Sequence, residues 1–150
     1  MSECFICDRI ESIKKGTNPF LVTELPTSYI VIGDRQFFKG YSLVLSKYHV
    51  AELHDLTHEV RSQFLNEMAL VAEAVCHAFK PDKLNYELLG NTDRHLHWHL
   101  FPRYKTDPNP KYPIWSENNF KRHSESPTVN PEELEELKQK LLTEIKKLQG

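Results

Sequence analysis

Apolar residues recur along the chain in two patterns, one typical of strands and one typical of helices. Short apolar runs at residues 29–32 and 41–45 flank a Lys39-Gly40 turn, which predicts two antiparallel strands. Residues 84–89 and 95–103 predict two more strands, joined by a loop at 90–94. We expect Pro102 to end the last strand pattern, because proline cannot donate to a sheet ladder.

Two segments carry apolar residues at helical spacing. Thr57 is a candidate N-cap for a long helix that runs to about Phe79 and ends before Pro81. A second helix is predicted after Asn130, with Pro131 at its first position. Its apolar stripe is Leu134, Leu137, Leu141, Ile145 and Leu148. Together the elements predict an α+β fold: an antiparallel sheet with a long helix and a C-terminal helix.

Length and charge set limits on the function. The 150 residues suit one domain, 1–150, with a core of its own, and the proline-rich stretch at 107–113 marks a change of composition. A formal net charge of −2 gives no reason to expect a nucleic-acid or membrane-surface partner. We find no apolar run long enough to span a bilayer and no signal peptide, so the expected location is the cytoplasm.

The most unusual stretch of the sequence is RHLHWHLFPRY at 94–104. Side chains alternate faces along a strand, so His95, His97 and His99 should share one face and leave the apolar residues between them to the core. A polar strand face without function is the plain alternative. Two chemical interpretations compete with it: three zinc ligands, or an imidazole nucleophile with neighbouring imidazoles in support. Successive rings would lie about 7 Å apart on a flat strand, which favours separate roles along the row.

Cysteines suggest a second site. Cys4 and Cys7 form a Cys-x-x-Cys pair, which in a reducing compartment indicates metal or redox chemistry. Cys76 falls at helical spacing beside Val75 and Phe79 and is expected to be a buried thiol. A tetrahedral zinc would need two further ligands, and without a second Cys-x-x-Cys pair these must be histidines.

Four segments of the chain resemble the histidine triad (HIT) family. His95 to Phe101 matches its alternating histidine signature, residues 43–50 match its strand and basic turn, and residues 55–57 match the entry to its long helix. Residues 4–7 are similar to the N-terminus of the zinc-carrying bacterial members. The resemblance covers a core at about 4–104 and leaves 105–150 as a C-terminal extension. Within the family, the chain resembles the diadenosine polyphosphate hydrolases.

The resemblance implies a function and a set of residues. The family's nucleophile matches His97, which would attack the α-phosphate of dinucleoside polyphosphates, nucleoside phosphoramidates or related nucleotides and form a nucleotidyl-histidine that water hydrolyses. His99 matches the histidine at the phosphate or leaving-group bridge. The implied substrate-binding residues are Asp34, Asn85, Asn91, Thr92 and His99. A structural zinc held by Cys4, Cys7, His49 and His95 is implied, as is a homodimer.

Departures from the family pattern leave the identity of the substrate open. The loop at 89–91 is one residue short, Tyr41 replaces a histidine, and Ser46 replaces a proline. A nucleotide-binding sensor with incidental turnover, or a zinc hydrolase that uses the triad as ligands, are the competing functions. The other histidines, His54, His58, His77 and His123, show no shared pattern and are expected at the surface or in packing. Arg94 and Arg103 flank the triad strand. Capture of an anionic substrate is one role for them, but arginines at a strand end are expected to be solvated.

Overall fold

The computed structural model describes residues 3–150, so Met1 and Ser2 of the predicted domain lie outside the described residues. The helices are α1 (Phe5–Lys14), α2 (His58–Phe79), α3 (Glu117–Glu125) and α4 (Pro131–Gln149), and a 3-10 turn spans Leu53–Asp55. The strands are β1 (Leu21–Glu24), β2 (Ser28–Ile32), β3 (Ser42–Ser46), β4 (Lys83–Glu87) and β5 (His97–Arg103). Of the described helices, none is both long enough and apolar enough to cross a membrane.

The five strands form one antiparallel sheet in the order β1-β2-β3-β5-β4. One face packs against α2 and α4 through a core that includes Ile30, Val44 and Leu100. The other face carries a second apolar cluster, which includes Phe38 and Phe101 and is covered by α1 and by residues after Tyr104. The predicted α+β class with an antiparallel sheet is confirmed.

Both predicted helices begin at their predicted caps. The Thr57 hydroxyl oxygen accepts a hydrogen bond from the Val60 amide, and the Asn130 side chain does the same for the Glu133 amide. Helix α2 ends at Phe79, and its C-cap Lys80, with φ of 51°, lies directly before Pro81. Leu134, Leu137, Leu141 and Ile145 of α4 are buried, and the helix packs against α2 and β1, so it completes the core on that face of the sheet. Leu148, the last residue of the predicted stripe, is half-buried.

Strand boundaries differ from the prediction around the histidine row. β4 ends at Glu87 and not at Leu89, because the chain turns at Gly90, where φ is +73°. β5 begins at His97 and not at His95. Pro102 lies inside β5 opposite Leu84. It is tolerated there because β3 pairs with β5 only as far as Leu100, so beyond that residue β5 has a neighbour on one side alone.

Candidate active site and metal centre

The first turn of α1 brings the two N-terminal cysteines together. Cys4 is the N-cap of the helix, and its sulfur accepts a hydrogen bond from the Cys7 amide at 3.4 Å. Cys4 is buried and Cys7 is half-buried. Burial, followed by the neighbouring Cys4, raises the pKa of Cys7 to about 11. A cation at this place would therefore be needed to hold the Cys7 sulfur as a thiolate near neutral pH.

Two histidines complete this group from distant parts of the chain. His49 follows β3 and lies with Nδ1 3.2 Å from the Cys7 sulfur. His95 precedes β5 and lies with Nδ1 3.5 Å from both the Cys4 and the Cys7 sulfur. The two Nδ1 atoms are 3.2 Å apart, and the four candidate ligand atoms all lie within 4.8 Å of one another.

These distances fit a tetrahedral zinc ion. With bonds of about 2.3 Å to sulfur and 2.0–2.1 Å to nitrogen, a tetrahedron places sulfur and nitrogen about 3.5 Å apart and two nitrogens about 3.3 Å apart. The far nitrogen of His95, Nε2, lies 2.7 Å from the carbonyl oxygen of Ser46, to which it can only donate. That hydrogen bond leaves the Nδ1 lone pair of His95 directed at the cysteines, as a metal ligand requires.

The backbone of His95 also contacts the next histidine of the row, His97. Nδ1 of His97 lies 2.7 Å from the carbonyl oxygen of His95 and donates a hydrogen bond to it. The proton of a neutral His97 is thereby held on Nδ1, and Nε2 keeps its lone pair. His97 is buried to 7% exposure, but it lines a cleft. Nε2 is therefore the ring nitrogen available to a substrate.

The cleft has a volume of about 300 Å³. One wall is the loop 89–93, and another is formed by Trp115 and Phe120 from the C-terminal segment. His97 and His99 also line it. Its size is at the lower end of the range for small-molecule sites. A larger open cleft of about 460 Å³ lies beside Phe79, Tyr104 and Lys140, but its lining residues include neither histidine nor cysteine.

His99 occupies the apolar end of the row. Its ring stacks over Phe101 and contacts the edge of Trp115. Burial, with a smaller effect of His97, lowers the pKa of His99 to about 3. Its Nδ1 lies 2.7 Å from the hydroxyl oxygen of Tyr41. His99 is therefore a neutral imidazole at physiological pH, suited to hydrogen bonding and not to carrying a fixed positive charge.

A family model described as HIT domain matches residues 15–106 of this chain. The chain belongs to the HIT domain family. The family predicted from the sequence is confirmed. The resemblance to its zinc-carrying members is supported as well, because the cysteines and their histidine partners lie together.

Named relatives and a solved structure agree with this membership. The chain is 30% identical to adenosine 5'-monophosphoramidase HNT1 of Saccharomyces cerevisiae over 67% of this chain and 62% of the relative. It is 32% identical to Protein hit of Bacillus subtilis over 46% of this chain and 51% of the relative. The chain thus spans less than two thirds of the length of these two curated relatives. A zinc-bound histidine triad protein from Mycobacterium smegmatis has the same fold, with a TM-score of 0.66, 20% identity, and coverage of 97% of this chain and 95% of that chain.

Not every predicted residue of the HIT site lies in the cleft. Asn91 and Thr92 line it, together with His97 and His99. Asn85 is on β4, where its side-chain oxygen accepts a hydrogen bond from Arg103. Asp34 lies outside the cleft, with a carboxylate oxygen 3.6 Å from an Arg9 nitrogen. The ribose and phosphate roles assigned to these two residues remain predictions.

Arg103 departs most clearly from expectation. It is buried to 3% exposure, whereas Arg94 is exposed as expected. The guanidinium pairs with Asp107, donates to the Tyr112 carbonyl and lies over the Phe38 ring. Because a buried charge needs such partners, Arg103 holds the segment after the sheet against the histidine face.

Sequence reasoning missed the contributions of the C-terminal segment to the site. Trp115 and Phe120 supply an apolar wall. His123 packs against Tyr41 and Phe101, which is one of the two environments expected for it. Glu87 faces His99 across the β4–β5 pair, and burial raises the pKa of its carboxyl. The signal available in the sequence was strand alternation, which puts Glu87 on the histidine face.

The lowered pKa of His99 generates a direct prediction. Because the folded chain holds this pKa near 3 instead of the usual 6.5, the unfolded chain binds the proton more readily. Stability from neutral His99 is therefore fully present above about pH 6.5 and is lost as the pH falls towards about 3. In an NMR titration of the folded protein, the ring resonances of His99 should stay constant between about pH 8 and about pH 5. A histidine with the usual pKa of about 6.5 would change its protonation within that range. A His99 midpoint near 6.5 would contradict this environment.

Proposed function

We propose that this HIT protein is a nucleotide hydrolase that cleaves at the α-phosphate through a nucleotidyl-histidine intermediate on His97. The observation that supports it most is the hydrogen bond from His97 Nδ1 to the His95 carbonyl, which leaves Nε2 as a nucleophile at the cleft. The names of two relatives as adenosine 5'-monophosphoramidases favour the same reaction class.

The reaction has two balanced steps. In the first, the Nε2 lone pair of His97 forms a bond to the α-phosphorus, and the bond to the leaving group breaks with its electron pair going to the leaving atom, which takes a proton from water. In the second, water attacks the phosphorus, gives up a proton to solvent, and breaks the bond to Nε2, releasing a nucleoside monophosphate. Thr92 and amides of the loop 90–93 are the hydrogen-bond donors available for the phosphoryl oxygens.

The charge of the cleft favours a leaving group without several negative charges. Its described lining residues include the carboxylate of Asp93 but no lysine or arginine. The second half of a dinucleoside polyphosphate is strongly anionic and gains nothing from such a lining. An amine leaving group, as in a nucleoside phosphoramidate, is uncharged or cationic. We therefore infer a preference for phosphoramidates, with dinucleoside polyphosphates as the second candidate.

The competing functions require different arrangements of the three histidine rings. A zinc hydrolase that uses the triad as ligands would gather all three rings on one ion, but only His95 lies in the metal-ligand group that the described residues form. That arrangement disfavours it. A sensor with incidental turnover keeps the same cleft, and rates of turnover separate it from an enzyme.

We propose further that Cys4, Cys7, His49 and His95 hold a structural zinc ion. Zinc bound there would supply positive charge and a fixed link between α1 and the start of β5. Asp93, whose carboxylate accepts a hydrogen bond from the Phe5 amide at 2.9 Å, provides a second link between the same two parts.

A homodimer in the cytoplasm remains part of the proposal. It rests on the family resemblance and on the edge strand β4, where Tyr86 is 50% exposed and Leu89, just beyond the strand, is 52% exposed. Exposed apolar side chains beside an unpaired strand edge favour association with a second copy.

Replacing His97 tests the proposed nucleophile. His97→Ala should lower turnover of adenosine 5'-phosphoramidate by several orders of magnitude, because no other ring nitrogen lies at the same place, while nucleotide binding is largely kept. Release of the monophosphate is the measurement, with diadenosine tetraphosphate run in parallel to rank the two substrate classes.

His54→Ala is the matched control, since His54 is exposed and does not line the cleft. Its turnover should equal that of the unaltered chain. Near-normal turnover by His97→Ala would remove His97 from this role, and binding without measurable turnover by the unaltered chain would favour the sensor.

Replacing the cysteines tests the proposed zinc. The purified protein should contain about one zinc ion per chain. Cys4→Ser with Cys7→Ser should lose the metal and lower the thermal midpoint, because a hydroxyl is a poor zinc ligand compared with a thiolate. Metal analysis and thermal unfolding are the measurements.

Substitutions at His95 supply the control for that experiment. His95→Cys keeps a zinc ligand and should keep the metal, whereas His95→Ala should lose it. Full zinc content and unchanged stability in His95→Ala would show that His95 is not a ligand.

A further inference from the structure

The side chain of Tyr41 reaches the catalytic row from the neighbouring strand region. It directly precedes β3, and its hydroxyl oxygen lies 2.7 Å from Nδ1 of His99. The family that this chain resembles carries a histidine at this position. A phenol differs from an imidazole because it has a single rotatable O–H and stays protonated at physiological pH.

The phenol ring is held on all sides. It stacks on Phe101 with centroids 3.9 Å apart and planes within 3°, and the His123 ring stands nearly perpendicular to it with centroids 5.3 Å apart. The backbone is fixed as well, because the Tyr41 amide donates to the Phe38 carbonyl. Tyr41 is therefore buried to 5% exposure, with little freedom to move its hydroxyl away from His99.

Gly33 makes room for this ring. A Cβ atom at position 33 would lie 2.1 Å from Cδ2 of Tyr41 and 2.5 Å from Cε2. Both distances are far below van der Waals contact, so any side chain there would displace the ring. Gly33 does not have a positive φ, so the requirement is for space and not for backbone freedom. Gly33 and Tyr41 thus form a matched pair.

The direction of the hydrogen bond follows from the chemistry of the phenol. Burial raises the pKa of Tyr41, so its oxygen keeps its proton at physiological pH. Within residues 3–150, the only hydrogen-bond partner of that oxygen is Nδ1 of His99. The phenol therefore donates and Nδ1 accepts. A neutral His99 then carries its own proton on Nε2.

We propose that Tyr41 is a positioning residue that fixes His99 as the Nε2–H tautomer, so that His99 presents a hydrogen-bond donor to the phosphoryl or leaving-group atom. The proposal rests on the function proposed above. With the opposite tautomer, His99 would turn a lone pair towards the negatively charged phosphoryl group and oppose the reaction. Tyr41 does not line the cleft and acts only through His99.

Tyr41→Phe removes the hydroxyl and keeps the packed ring. We expect kcat for a nucleoside phosphoramidate to fall about tenfold, as for loss of one hydrogen bond, with KM nearly unchanged. Nitrogen-15 NMR of the imidazoles should show the Nε2–H tautomer for His99 in the unaltered chain. It should show the Nδ1–H form or a mixture in Tyr41→Phe.

Tyr29→Phe is the matched control, because it removes another buried phenol from the same apolar cluster without touching a histidine of the row. It should change neither kcat nor the His99 spectrum. An Nδ1–H tautomer in the unaltered chain, or an unchanged tautomer and unchanged kcat in Tyr41→Phe, would overturn the proposal. The NMR result does not need turnover, so an inactive protein with the expected tautomer shift would refute the proposed function and leave the role of Tyr41 in fixing the ring intact.

Discussion

The hydrogen bond from His97 Nδ1 to the carbonyl oxygen of His95 determines what the histidine row can do. It fixes the proton on Nδ1 and leaves Nε2 with its lone pair free, as the proposed nucleophile beside the loop 89–93 requires. The position of this hydrogen bond depends on the position of the His95 carbonyl. The rest of the site therefore constrains the backbone around His95. Attack on phosphorus depends strongly on such placement, because small displacements of a nucleophile reduce the rate.

Two flanking interactions supply these constraints. On one side, the His95 ring is held between the Ser46 carbonyl and the cysteine sulfurs, where a zinc ion would join α1 to the start of β5. On the other side, the Tyr41 hydroxyl is within hydrogen-bond distance of His99, and its ring stacks on Phe101. The segment after the sheet, which Arg103 holds by a hydrogen bond to the Tyr112 carbonyl, covers this region. The three histidines therefore have separate tasks: the first anchors, the second is the proposed nucleophile, and the third is the proposed hydrogen-bond donor.

The sequence predicted the features that depend on local pattern. Caps and stripes of apolar residues predicted α2 and α4, and strand alternation predicted the shared face of His97 and His99, whereas His95 lies before β5. Helix α3 was missed because Asn119 is its only buried residue in the described structure, so it has no apolar stripe. The Tyr41–His99 contact and the burial of Arg103 were also missed, since they join residues that are far apart in the chain and depend on how the segments pack.

Trapping the intermediate tests the central claim most directly. The protein can be mixed briefly with adenosine 5'-phosphoramidate, quenched in alkali to preserve an acid-labile phosphorus–nitrogen bond, digested and analysed by mass spectrometry and phosphorus-31 NMR. The account predicts an adenylyl group on His97, attached through Nε2. An adduct on His99, attachment through Nδ1 of His97, or turnover without any histidine adduct would contradict it.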